Sequence, residues 1–424
     1  MKTRPTFLTS LALVVFSVVV GFTQGDLSGR WAGQMTTTLS GAGALEITLA
    51  REGQEWKGSL KLRVGGQEIA PAVEALKIDG AQISFASALD RIQIKFSGKA
   101  EGDKLAGTLE AFQGDQKISD GTFTLTRGGQ MPALQQQGGG AQVADPDFDA
   151  KVTTPAYGKN GPKVLFDEAH NNFHTTTGRY KPFADLIRND GYQITPNTAK
   201  FTRETLKGFH ILVIANALGH ARMGAAEASN PAFTDEESDA VRDWVKAGGS
   251  LLLIADHSPM GAANQILAQR FAVDMSKSYT ADPENYDKDS KNLGFIVYTR
   301  ESGRLADHAI TRGRNDSERL NKVIAFTGQS LKGPPDSIAF MKLADTAQDR
   351  MPGPNTQPTS AAGRAQGIVM KFGKGRVIVL GEAAMLSAQL ITGPNGFKFG
   401  MNRPGIDNRQ LALNVMHWLS GKLK

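Results

Sequence analysis

Apolar and polar residues alternate with a period of two through residues 27–127, and the pattern restarts about every ten residues. Turn residues such as Asp79-Gly80 and Gln113-Gly114-Asp115 separate the alternating segments. A period of two is typical of strands with one buried face, and Gly beside Asp marks hairpin turns. We predict strands at 30–38, 44–50, 56–64, 72–78, 82–88, 91–96, 104–112 and 117–125. Strands in this number and order favour a small all-β barrel or sandwich.

The pattern changes after residue 151, where short, unbroken apolar runs alternate with segments of helical period. The clearest run is 250–255, which follows Gly248-Gly249 and precedes Asp256 and His257. Continuous apolar runs of this length are typical of strands buried on both faces of a parallel sheet. Further strands are predicted at 164–166, 192–195, 210–215, 293–299, 323–326, 338–343, 367–372 and 376–380, and helices at 178–190, 235–246, 261–271 and 408–419. The alternation predicts a doubly wound parallel α/β sheet of flavodoxin-like type over residues 151–424.

Two further segments complete the predicted organisation. Residues 128–150 are rich in Gly and Gln and have no apolar period, so we predict a flexible linker there. At the N-terminus, basic residues precede an apolar stretch from 7 to 20, which is typical of a secretory signal peptide. We therefore expect cleavage after about residue 25, a β domain at 26–127, and a periplasmic or secreted protein without a stable membrane span. A retained N-terminal anchor is the alternative.

Composition and charge narrow the function classes. A chain of 424 residues is too long for one ordinary core, which agrees with two domains. The net charge of +6 is spread along the chain without a run of Lys or Arg, so nucleic acid is not an expected partner. Cysteine is absent, which excludes disulfides, thiolate metal ligands and a cysteine nucleophile. The sequence does not specify an oligomeric state.

Carboxylates, imidazoles and amides follow the predicted strands of the second domain. Because the carboxyl ends of parallel strands meet at one edge of a sheet, we expect these side chains in a single crevice. The loop before the last helix can reach the same crevice and contact an anionic group. We predict as catalytic residues Asp256, His257, Glu382 and Glu168, and as ligand-binding residues His170, Asn171, Asn216, His220, Ser258, Asn402 and Arg403.

Several chemical interpretations of this set stay open. A divalent metal site requires three or four of the carboxylates and imidazoles to converge, although no known ligand motif is present. A metal-free hydrolase requires one carboxylate or histidine as general base and amide groups that stabilise an oxyanion. A polar pocket without chemistry is the third interpretation. Asp167 and Asp256 also suit a structural role, because Asp after a strand often caps the following helix.

The second domain resembles the class I glutamine amidotransferase-like superfamily, and in particular a bacterial family of unknown function within it. The resemblance implies a flavodoxin-like fold. In glutamine amidotransferases of this class, the turn after the central strand carries a nucleophilic cysteine, whereas here it carries Asp256 and His257. Glutaminase chemistry through a thioester is therefore excluded. The segments that carry the resemblance are 166–171, 248–261, 307–314, 326–330, 381–385 and 400–402.

The first domain opens with Gly29-Arg30-Trp31, which resembles the start of lipocalin-like barrels. For the whole chain we expect an exported protein that binds a small polar ligand, such as a carbohydrate, and hydrolyses it without a cysteine. The carbohydrate class is implied by cysteine-free relatives of the amidotransferase-like fold. The alternative is a non-catalytic binding or scaffold protein of the cell envelope.

Overall fold

The computed structural model describes residues 26–37, 41–64, 67–89, 92–114, 116–131, 142–158, 160–351, 356–391 and 396–424. The predicted signal peptide, residues 1–25, lies outside this part of the chain, as do residues 132–141 of the predicted linker. The chain divides into two compact units, Met1–Ala133 and Leu134–Lys424. Within the described residues, no helix has the length and apolar character needed to cross a membrane.

The first unit is an antiparallel sheet that nearly closes into a barrel, as the alternating pattern predicts. The described strands pair in the order β4-β3-β2-β1-β9-β8-β7-β6-β5. The two ends of the sheet approach each other. Gly58 of the third strand lies so close to the fifth strand that a Cβ atom at this position would be 3.4 Å from Leu76 Cδ2. The strands are β1 (Gly29–Thr37), β2 (Gly41–Glu52), β3 (Glu55–Val64), β4 (Gln67–Ile69), β5 (Glu74–Asp79), β6 (Gln82–Leu89), β7 (Ile92–Glu101), β8 (Lys104–Gln113) and β9 (Gln116–Arg127).

Trp31 of β1 is a central residue of the barrel core. Its side chain is fully buried, and its indole N–H donates to the carbonyl oxygen of Leu27 at 2.9 Å. The guanidinium carbon of Arg127, at the end of β9, lies 4.2 Å from the ring centroid. Trp31 thus joins the first and last strands of the meander and has its polar atom satisfied.

We expect Trp31→Ala to destabilise the first unit by about 3–5 kcal/mol, because it leaves a large cavity in a closed core. Hydrogen exchange measured by mass spectrometry should show loss of amide protection in β1 and β9. Trp56→Ala is the matched control, since Trp56 is only partly buried, and its loss of protection should be clearly smaller. Equal protection in Trp31→Ala and the unchanged protein would contradict the assigned core role.

The second unit contains the remaining elements. Its helices are α1 (Lys181–Asn189), α2 (Arg203–Leu206), α3 (Asp235–Ala247), α4 (Met260–Gln269), α5 (Ala309–Arg312) and α6 (Asn408–Leu419), with 3-10 turns at Ala226–Ser229, Asp316–Glu318 and Ala384–Leu386. Its strands are β10 (Gln142–Ala144), β11 (Lys163–Asp167), β12 (Gln193–Asn197), β13 (Ile211–Ala215), β14 (Ser250–Ile254), β15 (Asp274–Met275), β16 (Tyr279–Ala281), β17 (Val297–Thr299), β18 (Lys322–Ile324), β19 (Leu331–Lys332), β20 (Ile338–Lys342), β21 (Gln348–Arg350), β22 (Thr359–Ser360), β23 (Ala365–Phe372), β24 (Gly375–Leu380), β25 (Ala388–Ile391) and β26 (Lys398–Gly400).

The prediction of a doubly wound parallel α/β fold is wrong. Strand residues outnumber helical residues, 39% against 17%, and the first unit is entirely an antiparallel sheet. In the second unit the main sheet is mixed. Strands β12-β11-β13-β14-β24 pair in parallel, whereas β23 runs antiparallel to β24 and continues into antiparallel pairs with β19 and β20. The reversal occurs at Gly373-Lys374, a two-residue hairpin turn that cannot support a parallel crossover.

The parallel strands position the candidate site. β14 is buried along its whole length. Leu252 and Ile254 face the core that contains α1 and α6, and Leu251 and Leu253 face the core that contains α3 and α4. Burial on both faces accounts for the unbroken apolar run. Charged and ionisable residues therefore appear only after the strand ends, at Asp256 and His257.

The last residues of the predicted flexible linker are ordered by a strand in the structure. β10 (Gln142–Ala144) pairs antiparallel with β25, and the following Asp145 is buried. The carboxylate of Asp145 accepts from Asn402 Nδ2 at 2.8 Å and pairs with Lys398. This part of the segment belongs to the second unit, because strand pairing and a buried ion pair hold it. Its Gly- and Gln-rich composition gave no sign of that pairing.

Candidate functional site

Three polar residues lie side by side at the carboxyl ends of adjacent parallel strands. Asn216 follows β13, Asp256 follows β14, and Glu382 follows β24. The pairing of Ile254 with Leu380 places Asp256 and Glu382 at equivalent positions two residues further on. Neighbouring strands are about 4.8 Å apart, so the two carboxylates share one small region.

Both carboxyl groups of this pair are buried and resist ionisation. Burial raises the pKa of Asp256 to about 7, although its Oδ1 accepts the His257 backbone N–H at 2.8 Å. Burial and the neighbouring Asp256 carboxylate hold the pKa of Glu382 far above its usual value. The Glu382 oxygens accept the backbone N–H groups of Ala384 and Met385 at 2.6 and 2.7 Å. Two close carboxylates in a dry site cannot both ionise readily, so the pair retains a proton near neutral pH.

Tyr180 lies next to the pair and His174 stacks on Tyr180, and neither was among the predicted site residues. The Tyr180 hydroxyl donates to the carbonyl oxygen of Ala383 at 2.6 Å, and burial together with the charges of Glu382 and Asp256 raises its pKa. The His174 ring stacks on Tyr180 at 4.7 Å. Burial lowers the pKa of His174 to about 3, so the ring is neutral. No sequence signal marks Tyr180, because its proximity to Glu382 depends on contacts across the fold.

His257 lies next to Asp256 and stacks on Tyr279, whose pKa is raised by burial and by the nearby Asp256 carboxylate. Its Nδ1 donates to the Ser258 carbonyl oxygen at 2.7 Å, and its ring stacks on Tyr279 at 4.3 Å. Burial lowers the pKa of His257, so the imidazole is neutral at pH 7. Because a carbonyl only accepts, Nδ1 carries the proton and Nε2 has a lone pair. Nε2 has no hydrogen-bond partner among the described residues, and Tyr279 is 36% exposed.

His170 and Glu168 are held away from this group. His170 is buried between two carboxylates, with Nδ1 2.9 Å from both oxygens of Asp167 and Nε2 3.0 Å from Glu237 Oε1. Although burial opposes its protonation, Asp167 and Glu237 raise the pKa of His170. Glu168 accepts from the backbone N–H and hydroxyl of Thr176, both at 2.7 Å. Both ring nitrogens of His170 and one oxygen of Glu168 are therefore engaged in contacts outside the carboxyl pair.

The remaining predicted ligand-binding residues hold loops in the described part of the chain. Asn171 Nδ2 donates to the Leu218 carbonyl, and His220 Nδ1 accepts the N–H of Arg222. Asn216 Oδ1 accepts the N–H of Asp256 at 2.9 Å, which fixes the strand end.

Ser258, Asn402 and Arg403 do not form one ligand-binding set either. Ser258 contributes its carbonyl to His257, as described above. Asn402 donates to Asp145 and to the Gln389 carbonyl, and Arg403 pairs with the buried Asp287. The structure therefore brings together Asn216, Asp256 and Glu382, with His257 and Ser258 next to them along the chain.

Metal binding by the strand-end residues gains no support from the geometry. Among the residues that the structure describes, no three His, Asp or Glu side chains are grouped so that they could hold a metal ion. Asp167, Glu237 and His170 satisfy one another, and Glu382 is satisfied by backbone N–H groups.

Comparisons with known proteins assign no family to this chain. No protein-family model matches the chain, and no curated protein matches it. Similar solved structures include the mmIFT52 N-terminal domain (15% identity, 61% of this chain and 97% of that one, TM-score 0.44). A second is the cytoplasmic protein STM1381 from Salmonella typhimurium LT2, with 14% identity over 61% of this chain and 99% of that one and a TM-score of 0.35. A third is the exo-beta-1,4-mannosidase Op5Man5 from Opitutaceae bacterium strain TAV5, with 13% identity over 53% of this chain and 32% of that one and a TM-score of 0.29.

These similarities are too low to transfer an activity. The resemblance to the amidotransferase-like superfamily is wrong, since no family model matches the chain and its mostly β fold is not the flavodoxin-like fold that the resemblance implies. No family model carries the lipocalin-like resemblance of the first domain either. Short motifs at strand ends recur in unrelated sheets, because the same turn and capping requirements act on each of them.

Proposed function

We propose that the second unit binds a small polar ligand against His257 and Tyr279 and transfers a proton to or from it, as in hydrolysis without a cysteine. One observation carries the proposal. A neutral histidine with an unengaged Nε2 lies next in sequence to a buried carboxyl pair that retains a proton near pH 7. A base and an acid that are both effective near neutral pH are the requirement for general acid–base catalysis.

Each residue has a distinct part in this proposal. His257 Nε2 accepts a proton from water or from a ligand hydroxyl, and the ring of Tyr279 supports the imidazole from one face. Asp256, which is 9% exposed, is the acid that returns a proton. Burial itself keeps Asp256 protonated up to about pH 7. Glu382 is fully buried and acts as a positioning residue, because its carboxyl group holds the backbone N–H groups of Ala384 and Met385, next to the Ala383 N–H that Asp256 accepts. An exported location, predicted from the N-terminal residues, is part of the proposal.

A non-catalytic binding protein of the cell envelope is the second candidate. The observation that favours it is the pair of short hydrogen bonds from backbone N–H groups to Glu382, which are typical of a structural carboxylate. In that case the stacked rings of His257 and Tyr279 form a recognition surface only.

The test compares hydrolysis of p-nitrophenyl acetate and p-nitrophenyl glycosides from pH 4 to 9. We expect a bell-shaped profile, in which the rate rises through the lowered pKa of His257 and falls through about pH 7 as Asp256 ionises. His257→Ala should lower the rate about 100-fold or more. His220→Ala is the control and should match the unchanged protein. If no probe is hydrolysed above the blank rate, the hydrolase proposal fails and the binding candidate takes its place.

A further inference from the structure

A separate cleft in the second unit, here called the Phe397 cleft, has the size of a small-molecule site. Its volume is about 470 Å³, within the range of about 300–1,000 Å³ that such sites occupy. Among the described residues, the cleft shares none with the group around His257. It is lined by Asp289, Ser290, Asn292, Phe295, Phe397 and Arg403.

The floor of the cleft is an aromatic face held in place by other rings. Phe397 is 39% exposed, yet its ring lies 6.3 Å from Phe295 and 5.7 Å from Phe399. Phe326 packs at 5.1 Å from Phe295 and 5.6 Å from Phe399. An exposed ring supported by a buried aromatic cluster loses little side-chain entropy when it binds a ligand.

The rim of the cleft carries polar groups that are not engaged. Within the described part of the chain, the Asp289 carboxylate has no hydrogen bond or ion pair, and neither does Asn292 Nδ2, although Asn292 Oδ1 accepts the Gly294 N–H. Arg403 pairs with Asp287 through one terminal nitrogen, which leaves the rest of its guanidinium available. The rim therefore offers one strong acceptor and several donors in planar groups.

The aromatic floor and the polar rim together favour one chemical class of ligand. An anion would meet the Asp289 carboxylate, and a purely apolar ligand would remove water from the rim groups without replacing their hydrogen bonds. A cation would meet the guanidinium of Arg403. A neutral sugar has hydroxyl groups for the carboxylate, amide and guanidinium, and its C–H face fits the electron-rich face of an aromatic ring. We infer that the Phe397 cleft is a binding site for a neutral saccharide of one to a few rings.

The cleft is connected to the carboxyl pair through one residue. Phe326, beneath the aromatic floor, donates its backbone N–H to Glu382. The saccharide site does not depend on proton transfer at His257, because none of its lining residues belongs to that group. It goes beyond the proposed function by adding a recognition site for a defined ligand class.

Isothermal titration calorimetry of the full chain tests the inference, with cellobiose, mannobiose, maltose and N,N′-diacetylchitobiose as probes. We expect at least one disaccharide to bind, and Phe397→Ala and Asp289→Ala each to weaken it about tenfold or more. Ile338→Ala, which truncates an apolar side chain of 46% exposure outside the cleft, is the matched control and should leave the affinity unchanged. Both cleft variants change exposed side chains, and thermal melts should show that they remain folded.

Three results would overturn the saccharide site. These are the absence of binding by all four disaccharides, equal affinity in Phe397→Ala and Ile338→Ala, and tighter binding of benzoate than of any disaccharide. His257→Ala separates this inference from the proposed function, since it should abolish hydrolysis and leave disaccharide affinity intact. Disaccharide binding without hydrolysis of any probe would support the saccharide site and contradict the hydrolase proposal. Hydrolysis together with a disaccharide affinity that Phe397→Ala leaves unchanged would support the hydrolase proposal and contradict the saccharide site.

Discussion

Replacement of His170 by alanine is expected to lower the free energy of unfolding of the second unit by about 3–5 kcal/mol at pH 6. His170 lies between the buried carboxylates of Asp167 and Glu237, and each ring nitrogen is within 3.0 Å of a carboxylate oxygen. Phe201 and Phe233 pack on the ring at 4.8 and 4.7 Å. Removal of the imidazole leaves two buried carboxylates without their shared cation and opens a cavity beside the aromatic rings.

The pH dependence of this stabilisation follows from the raised pKa of His170. The folded protein holds the proton more tightly than the unfolded chain, whose histidines titrate near about pH 6.5. The stabilisation is therefore complete below that pH and is lost as the pH rises through the folded pKa. The gap in urea midpoint between the unchanged protein and His170→Ala should narrow with increasing pH. His220→Ala, in an exposed loop, should change stability by less than about 0.5 kcal/mol, and an equal loss in both variants would refute the special role of His170.

Asp256→Asn is expected to make the second unit more stable at pH 8 while abolishing proton transfer. The pKa of Asp256 is raised from an ordinary value of 3.8 to about 7. Between these values the unfolded chain ionises Asp256 and the folded protein does not, so the stability of the unchanged protein falls as the pH rises through this window. Asparagine has no proton to lose and keeps an oxygen that can accept the His257 N–H.

Urea unfolding of both proteins at pH 5 and pH 8 measures this effect. The midpoint difference in favour of Asp256→Asn should be larger at pH 8, together with a loss of hydrolysis by about 100-fold or more. A gain in stability that accompanies a loss of activity is typical of a residue kept for function. Asp307→Asn, at an exposed ion pair, is the control and should show neither effect. A lower midpoint for Asp256→Asn at pH 8 would assign Asp256 a purely structural role.

The sequence predicted the position of β14 because its signal is local. Six consecutive residues with an apolar or small side chain before Asp256 require burial on both faces, and the structure buries the strand throughout. The predicted site residues share a place after a strand, yet they differ in what their atoms contact. Asp256 and Glu382 meet at the end of neighbouring strands, whereas Glu168 turns to Thr176 and His170 to Glu237.

The direction of the strands was the main error in the predicted fold. An apolar run indicates burial but not whether its neighbour is parallel or antiparallel. The hairpin at Gly373-Lys374 reverses the chain between β23 and β24. The strands of the main sheet that lie beyond it, β15, β19 and β20, also pair antiparallel. Tyr180, Tyr279 and the Phe397 cleft were missed for a related reason, since each depends on contacts between segments far apart in sequence.

The sequence by itself determined the near-barrel of alternating strands, the buried strand that ends at Asp256 and His257, and the exclusion of thiol chemistry by the absence of cysteine. Only the tertiary structure decided that Asp256 lies against Glu382, that His170 is enclosed by two carboxylates, and that Phe397 remains exposed above other aromatic rings. Side-chain periodicity records which face of an element is buried, and this is a local property. The proton held by the Asp256–Glu382 pair, the hydrogen bonds of the His170 ring and the Phe397 cleft all depend on contacts between residues that only the folded chain brings together.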